Sequence, residues 1–595
     1  MNKVFRSTSV RLVFVVAVGG LLGIAPIVPA SGQTSPACPG VEFMSVDDVR
    51  ALPSGTTGYG LTVARGRTPE QFSVEILGVL DNGVLPGRDM IIIEASSPAI
   101  DRAGGIWAGM SGSPVYVNDQ LVGAVAYGLS FGPSAIGGLT PAQDMMRLLE
   151  HPSATSATTR DVKSVEVSST MRKKIARATG VSVQQVGGSF TRLKVPVGVS
   201  GGAMRKPGKV RRALHKLGIK AVPYAAASTS GSAAAAGTFE PGGNFAAALS
   251  YGDLTIAGVG TTTVVCDGKA LAFGHPFTFG GAVSMGAGTA DALTVVDDPV
   301  FGPFKLANID PTSAGTLDQD RLAGVRAVLG SGPARIPIAS LVEAPDNPTV
   351  GPRAGETDAL ESEPVPFLAF LHLLFNIDSR FDQISAGTSG MTWRVEGRDA
   401  SGDPWSFERR NLFASQWDIS YQTAGALEGT LYSLFYNDFE DITFTGVEAS
   451  PVSVTDKMSL LRVTGLKVSV DGGRYRTRKT VRVEPGARVR AKIVLTGFED
   501  DSFKRVARTS FRVPRRARKE GVFRAYGAGR SEWCFRACSS SKVESFEEMI
   551  EKMESAPTNN MLGTKVSIGG YQATGLHEFG KVVEGRKVLE IKVVR

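Results

Sequence analysis

The residues best suited to chemistry in this chain are one serine and one histidine. Ser111 stands in Gly109-Met110-Ser111-Gly112-Ser113-Pro114, preceded by Ala103-Gly104-Gly105-Ile106-Trp107-Ala108. A serine between glycines in a tight turn presents its hydroxyl with little steric cover. The N–H groups of Gly109 and Ser111 can then point at one spot beside Oγ, which is how an oxyanion hole is made. The same Gly-Ser-Pro composition also builds ordinary turns, so the turn gains a chemical meaning only if a base exists to serve it.

The chain has 5 histidines, so the bases can be enumerated. His151 precedes a proline at a helix end, His215 lies in a cationic stretch, His372 in an apolar helix and His577 in a Gly-rich C-terminal segment. Each of these reads as structural or exposed. His275 differs: in Leu271-Ala272-Phe273-Gly274-His275-Pro276-Phe277 an apolar strand runs into a turn that holds an imidazole at a barrel rim. An imidazole of near-neutral pKa is what a serine needs in order to lose its proton. Three groups compete to orient it. Asp320, in the same half as His275, is the first choice; Asp101, just ahead of the serine turn, is the second; a backbone carbonyl, leaving a Ser-His dyad, is the third.

Other frameworks fail on their spacing. Ser113 holds the place where the nucleophile elbow of α/β-hydrolases needs glycine. There is no His-Glu-x-x-His, no phosphate-binding loop and no dinucleotide fingerprint. Cys534 and Cys538 have no adjacent histidine and make a poor zinc site. Neither a metal nor a cofactor is expected.

The elements around the two residues read as β structure. Gln71–Leu80 and Met90–Glu94 are strands about an Asp81-Asn82-Gly83 turn, and Leu121–Tyr127 follows an Asn118-Asp119 turn. Thr140-Pro141-Ala142-Gln143 predicts a short helix opened by a capping box. Phe245–Ser250, Leu254–Val265 and Ala270–Phe273 form a second barrel-sized set, with Asp267-Gly268-Lys269 as a hairpin turn. Between the sets, Arg205 to Lys220 is a basic stretch that reads as a solvated helix face, after a short helix at Met171–Ala178. Ser228–Gly237 is a low-complexity linker. Later strand runs from Gly390 to Val513 suit one or two β-sandwich domains, and Arg512, Arg515, Arg516, Arg518 and Lys519 read as a solvated sheet edge.

At 595 residues the chain is too long for one core. Charged residues are 21%, with 70 Gly and 32 Pro, which argues for a turn-rich β protein and against a coiled coil or a disordered chain. The net charge of +8 is spread over this length and demands no nucleic-acid role. Lys3, Arg6 and Arg11, the apolar stretch Leu12–Ile27 and Val28-Pro29-Ala30 make a signal peptide cleaved before Ser31, so a secreted or cell-envelope protein with no later transmembrane segment is expected. Of the 4 cysteines, Cys534 and Cys538 can pair locally and Cys38 can pair with Cys266, among three connectivities. The expected division is 1–30 signal peptide, 31–150 serine-bearing barrel half, 151–240 connecting region, 241–350 histidine-bearing barrel half and 351–595 C-terminal β-rich region.

The serine segment with Leu121-Val122-Gly123-Ala124-Val125 resembles the nucleophile motif of the SpoIVB-type serine peptidases, of the chymotrypsin clan. Leu271–Phe277 resembles their Gly-His motif. The resemblance implies a mainly β, two-barrel chymotrypsin-like core with Ser111 as nucleophile, His275 as general base, and protein or peptide substrates; the low-complexity segment Ser228–Gly237 makes the chain itself a candidate among them. It spans roughly Tyr59–Gln143 and Gly242–Gly330. Here the serine half precedes the histidine half, the reverse of the sporulation enzymes, and no PDZ domain is identified. The competing expectation is a non-catalytic envelope scaffold that retains the core.

Overall fold

The computed structural model describes residues 33–129, 133–152, 165–166, 173, 176, 189–226, 237–347, 349–518, 520–529 and 543–594. The signal segment, most of the helix expected at Met171–Ala178, nearly all of the low-complexity linker, Lys519, Cys534 and Cys538 lie outside these residues.

Two short strands, β1 (Gln33–Ser35) and β2 (Cys38–Phe43), lead into β3 (Thr57–Thr62), β4 (Glu70–Leu85), β5 (Arg88–Ser96), β6 (Pro114–Val117), β7 (Gln120–Leu129) and β8 (Ile136–Pro141). The order β7-β6-β3-β4-β5-β8 closes on itself through β7–β8 pairing, giving a six-stranded barrel. Closure leaves none of these six strands at a sheet edge. Its interior takes Val74, Ile76, Ile91, Ile93, Val115, Val125 and Leu139. Asn118 and Asp119 both adopt positive φ (50° and 64°), the two-residue turn that joins β6 to β7.

The connecting region contributes β9 (Val165–Glu166), β10 (Ser189–Arg192), β11 (Val195–Val199) and β12 (Ala221–Ala225). β10 pairs with β7 of the first barrel, and β11 with a strand of the second, so this segment straddles both. The second barrel comprises β13 (Asn244–Gly252), β14 (Ile256–Cys266), β15 (Lys269–Ala272), β16 (Gly281–Gly288), β19 (Gly315–Arg321) and β20 (Gly324–Leu329). It closes in the order β14-β15-β20-β19-β16-β13 through β13–β14 pairing. A hairpin, β17 (Ala290–Val296) with β18 (Phe304–Ile309), leaves it and reaches back to the first barrel through bridges at Gly66 and Ala108.

Further contacts among the described residues bind the barrels. Cys38 and Cys266 form a disulfide. Buried Arg326 is held by Asp318 (Nη2–Oδ2 2.6 Å) and donates to the Leu148 and His151 carbonyls at 2.8 and 2.6 Å, across the interface. Arg67 pairs with Asp310 at 2.5 Å. Thr140 Oγ1 donates to the Gly274 carbonyl at 2.5 Å. This last bond corrects the capping expectation. The helix Ala142–Met146 has no side-chain cap, because Thr140 lies in β8 and spends its hydroxyl on the other barrel.

The sheet of the second barrel continues into the C-terminal half of the chain. β21 (Ile336–Glu343) and β22 (Arg353–Ala359) form a hairpin, and β22 pairs with β13. β23 (Gly387–Arg398), β24 (Pro404–Ser415) and β25 (Thr443–Thr455) extend the same sheet. The helices Val365–Phe381 and Ile419–Phe435 lie against it. A division at residue 350 therefore falls inside a hairpin. The remaining strands, from Leu460 to Val593, form two five-stranded sheets around one apolar core, a β-sandwich. The basic run after Arg512 follows the edge strand Lys504–Arg512.

The basic stretch is only partly a solvated face. Its helix Pro207–Lys216 and the residues before it meet acidic groups of the two long helices: Arg205 pairs with Asp378 and Asp418, Lys206 with Asp418, and Lys209 with Glu428. Helix periodicity read alone shows which cations share a face, not which carboxylates the fold brings to it.

Buried histidines make this fold acid-sensitive. Burial pushes His275 down to about 3 and His372 down to about 4. Each then binds its proton in the unfolded chain before the native one, so stability is complete above about pH 6.5 and falls as pH drops toward the native values. The expected loss at pH 5 is roughly 2 kcal/mol for each histidine. Melting curves between pH 7.5 and 4.5 measure it; substitution of His372 by asparagine should remove about half of the slope.

Candidate active site

Ser111 sits in the turn between the short helix Pro98–Arg102 and β6, and the second barrel holds that turn by its carbonyls. Thr261 N donates to the Ser111 carbonyl at 2.8 Å, Thr261 Oγ1 to that of Gly109 at 2.9 Å, and Thr263 Oγ1 to that of Gly112 at 2.7 Å. With the carbonyls of Gly109 and Ser111 aimed at β14, their N–H groups point elsewhere. Among the described residues neither of these N–H groups has a hydrogen-bond partner. Unpaired buried donors are uncommon, and two beside a serine hydroxyl fit an oxyanion.

Glycine is required at two places. Gly109 has φ +103° and Gly112 φ +98°. A Cβ on Gly112 would stand 1.9 Å from the Thr261 carbonyl oxygen and 2.5 Å from the Phe273 nitrogen, both backbone atoms that cannot swing away. Gly112→Ala is therefore expected to destabilise the protein by about 3 kcal/mol or more, by forcing the barrels apart. Denaturant titration with intrinsic fluorescence measures this.

His275 follows a left-handed pair, Phe273 and Gly274 (φ 66° and 65°), that turns the chain off β15. Its Nε2 lies 2.8 Å from Ser111 Oγ, and its Nδ1 lies 2.8 Å from the Pro276 carbonyl oxygen. A carbonyl only accepts, so Nδ1 carries the hydrogen and Nε2 accepts from the serine hydroxyl. This is the tautomer a general base needs. Both ring nitrogens are thereby engaged, and the group on Nδ1 is the third of the options open to sequence reasoning.

Asp320, the first choice, is wholly buried and close by, but its oxygens go elsewhere. Oδ1 accepts from Phe277 N at 2.8 Å. Oδ2 accepts from Thr278 N, Thr278 Oγ1 and Phe279 N at 2.6, 2.7 and 2.8 Å. The carboxylate caps the loop that follows His275 and makes no bond to the ring. Burial pushes its pKa up while these bonds pull it down. Asp101 is exposed on the helix Pro98–Arg102 and does not orient the ring either.

The site is closed: Ser111 is 1% exposed and His275 0%. Pro196, just inside β11, and Lys305 of β18 press on Gly109. Lys305 N donates to the Ala108 carbonyl, and Ala108 N to that of Pro303, both at 2.9 Å. Lys305 is itself fully buried, with Nζ on Asn244 Oδ1 at 2.8 Å and a pKa pushed down by burial to about 7. Nothing in the alternation of β18 distinguishes that lysine from a surface one, and Thr261 and Thr263 carry no local signal. The charged atom of Lys305 and the two threonines become visible only once the barrels are docked.

Among the described residues no group of His, Cys, Asp and Glu could hold a metal ion, and no helix is long and apolar enough to cross a membrane. No curated protein and no solved structure matches the chain. Residues 48–139 match the family model of the SpoIVB peptidase S55. That match spans the first barrel with Ser111 and stops short of His275. Over its serine-bearing barrel, within a two-barrel β fold, this chain is similar to the SpoIVB-type serine peptidases.

Proposed function

We propose that the chain is an exported serine endopeptidase in which Ser111 is the nucleophile and His275 the general base. The observation that carries this reading is the 2.8 Å contact between Ser111 Oγ and His275 Nε2, on a turn with two unpaired N–H groups. Ser111 Oγ adds to a peptide carbonyl carbon while its proton passes to Nε2. The oxyanion takes hydrogen bonds from Gly109 and Ser111 N–H. The C–N bond then breaks as Nε2 returns the proton to the leaving amine, and water, activated by the same imidazole, releases the acyl group. The Pro276 carbonyl keeps the ring in register throughout.

A cleft of about 490 Å³ opens beside the turn, lined by Ile106, Ala108, Leu129, Leu193, Val300 and Phe301 among others. Its lining sets these apolar side chains beside the charged Arg192, Lys194, Asp297 and Asp298. Export is supported by the signal-like N-terminus and by the disulfide, which belongs to oxidising compartments. Substrates are then envelope or secreted proteins, and the low-complexity linker near Ser228–Gly237 makes the chain a candidate substrate of its own.

The burial of both residues favours a second reading, an envelope scaffold that keeps the core without turnover. A fluorophosphonate probe separates the two. Labelling of Ser111, located by mass spectrometry and weakened in His275→Ala, followed by cleavage of a peptide library, is the expected result. A folded protein that stays unlabelled on prolonged incubation overturns the peptidase reading and leaves the scaffold.

A further inference from the structure

The group behind the base is shared with a cation. The Pro276 carbonyl that accepts from His275 Nδ1 also accepts from Arg192 Nη1 at 3.4 Å, while Arg192 Nη2 reaches the Gly218 carbonyl at 3.4 Å. Arg192 ends β10 and is fixed there by pairing opposite Tyr127 of β7. Lys220, just before β12, is a second cation in the ring's field. The anion on the other side, Asp320, is turned onto the loop backbone, and Lys305 lies at Gly109 rather than at the ring. In the described residues, no carboxylate bonds to the ring or to the carbonyl behind it.

In a serine peptidase triad the group behind the base is an anion, which stabilises the imidazolium that forms as the serine proton arrives. A guanidinium bonded to the carbonyl in that place does the opposite. It raises the energy of the imidazolium by direct repulsion, and it draws on the carbonyl lone pairs that would otherwise answer the growing positive charge on the ring. We propose that Arg192 is a positioning residue that holds the Pro276 carbonyl and weakens His275 as a base, from behind the carbonyl that stands where a triad carries its acid. The depressed His275 pKa agrees: burial is the largest cause and Arg192 the next, with Lys220 adding to it and the Pro276 bond opposing it. Arg192 also lines the cleft beside Ile106 and Ala108, so a peptide that enters the cleft meets the residue that restrains the base.

The kinetic part of this inference rests on the peptidase reading; the electrostatic part does not, and the test keeps them apart. In full-length protein carrying Ser111→Ala, selectively ¹⁵N-labelled histidine reports the His275 ring directly, its signal assigned by its loss in His275→Gln. Adding Arg192→Gln should raise the His275 pKa by about one unit, a tenfold change in proton affinity. Arg192→Lys, which keeps the charge but cannot span two carbonyls, should raise it by less. With Ser111 intact, Arg192→Gln should speed fluorophosphonate labelling at neutral pH about threefold, as a stronger base does, and move the acid limb of the rate profile upward by the same shift. Arg192→Met serves if the glutamine variant does not keep the wild-type melting temperature. An unchanged or lowered His275 pKa in a folded Arg192 variant overturns the proposal. A raised pKa in a protein that never labels keeps it and sinks the peptidase reading instead.

Discussion

Ser111→Ala is expected to lower peptide hydrolysis by about 10⁴-fold or more, to the level that binding and the oxyanion donors sustain without a nucleophile. The size follows from the chemistry. Among the described residues no other hydroxyl is bonded to His275, so no second nucleophile there inherits the proton path. His275→Ala is expected to cost about as much, and the double variant little more than either, because the two residues act as one unit. The alanine variant should also fold with near-native stability, since its carbonyl, not its hydroxyl, holds the turn to β14. The measurement is kcat/KM on a peptide cleaved by the wild type, with melting temperature alongside. Equal fragment patterns from wild type and Ser111→Ala during expression would remove self-cleavage; equal kcat/KM would remove Ser111 from the mechanism.

The second large effect belongs to Asp320, and its signature separates two roles. An acid that orients a catalytic histidine can be changed to asparagine with the structure intact and activity down by about 10⁴-fold. A loop cap behaves otherwise. Asp320→Ala leaves three backbone N–H groups and the Thr278 hydroxyl without their acceptor in a buried site. The expected cost is about 3 kcal/mol or more in stability, together with about 10²-fold in turnover as the loop releases His275 from its register. Asp320→Asn places an amide NH₂ against one set of donors and should fall between alanine and wild type in both readouts. Stability and activity falling together mark the cap. Full stability with lost activity would return Asp320 to the orienting role.

These two residues also show what a sequence can and cannot express. The serine turn was legible because its chemistry is local: glycines on both sides of Ser111 set a backbone that only a tight turn accepts. His275 was singled out by elimination among few histidines, and its ring stands against Ser111 Oγ. The barrels were legible through strand alternation and the turns at Asn118-Asp119 and Asp267-Gly268, where positive φ confirms the hairpin geometry. Asp320 was placed in the right half and given the wrong bond, because register decides it. Pairing of Gly281 with Asp320 sets the carboxylate under the loop rather than beside the ring. Thr140, Arg192, Thr261 and Lys305 act across the interface between barrels or from the segment that spans it. No periodicity within one strand encodes a distant partner, whether 84 residues away as for Arg192 and Pro276 or 152 as for Thr261 and Gly109. The basic stretch failed for the same reason, since its carboxylates stand on helices that come much later in the chain.

The disulfide has a practical consequence for anyone who looks for processing. Cys38 and Cys266 enclose the serine turn, the connecting region and its low-complexity linker in one covalent ring, with a sequence separation of 228 residues. A single nick in the linker opens that ring without releasing either piece. The product is a two-chain molecule of unchanged mass apart from one added water, held together by the sulfur bridge and by strands of both barrels. It would migrate as intact protein without reductant and as two fragments with it. Each half of the dyad would then lie on a different polypeptide, Ser111 on one and His275 on the other.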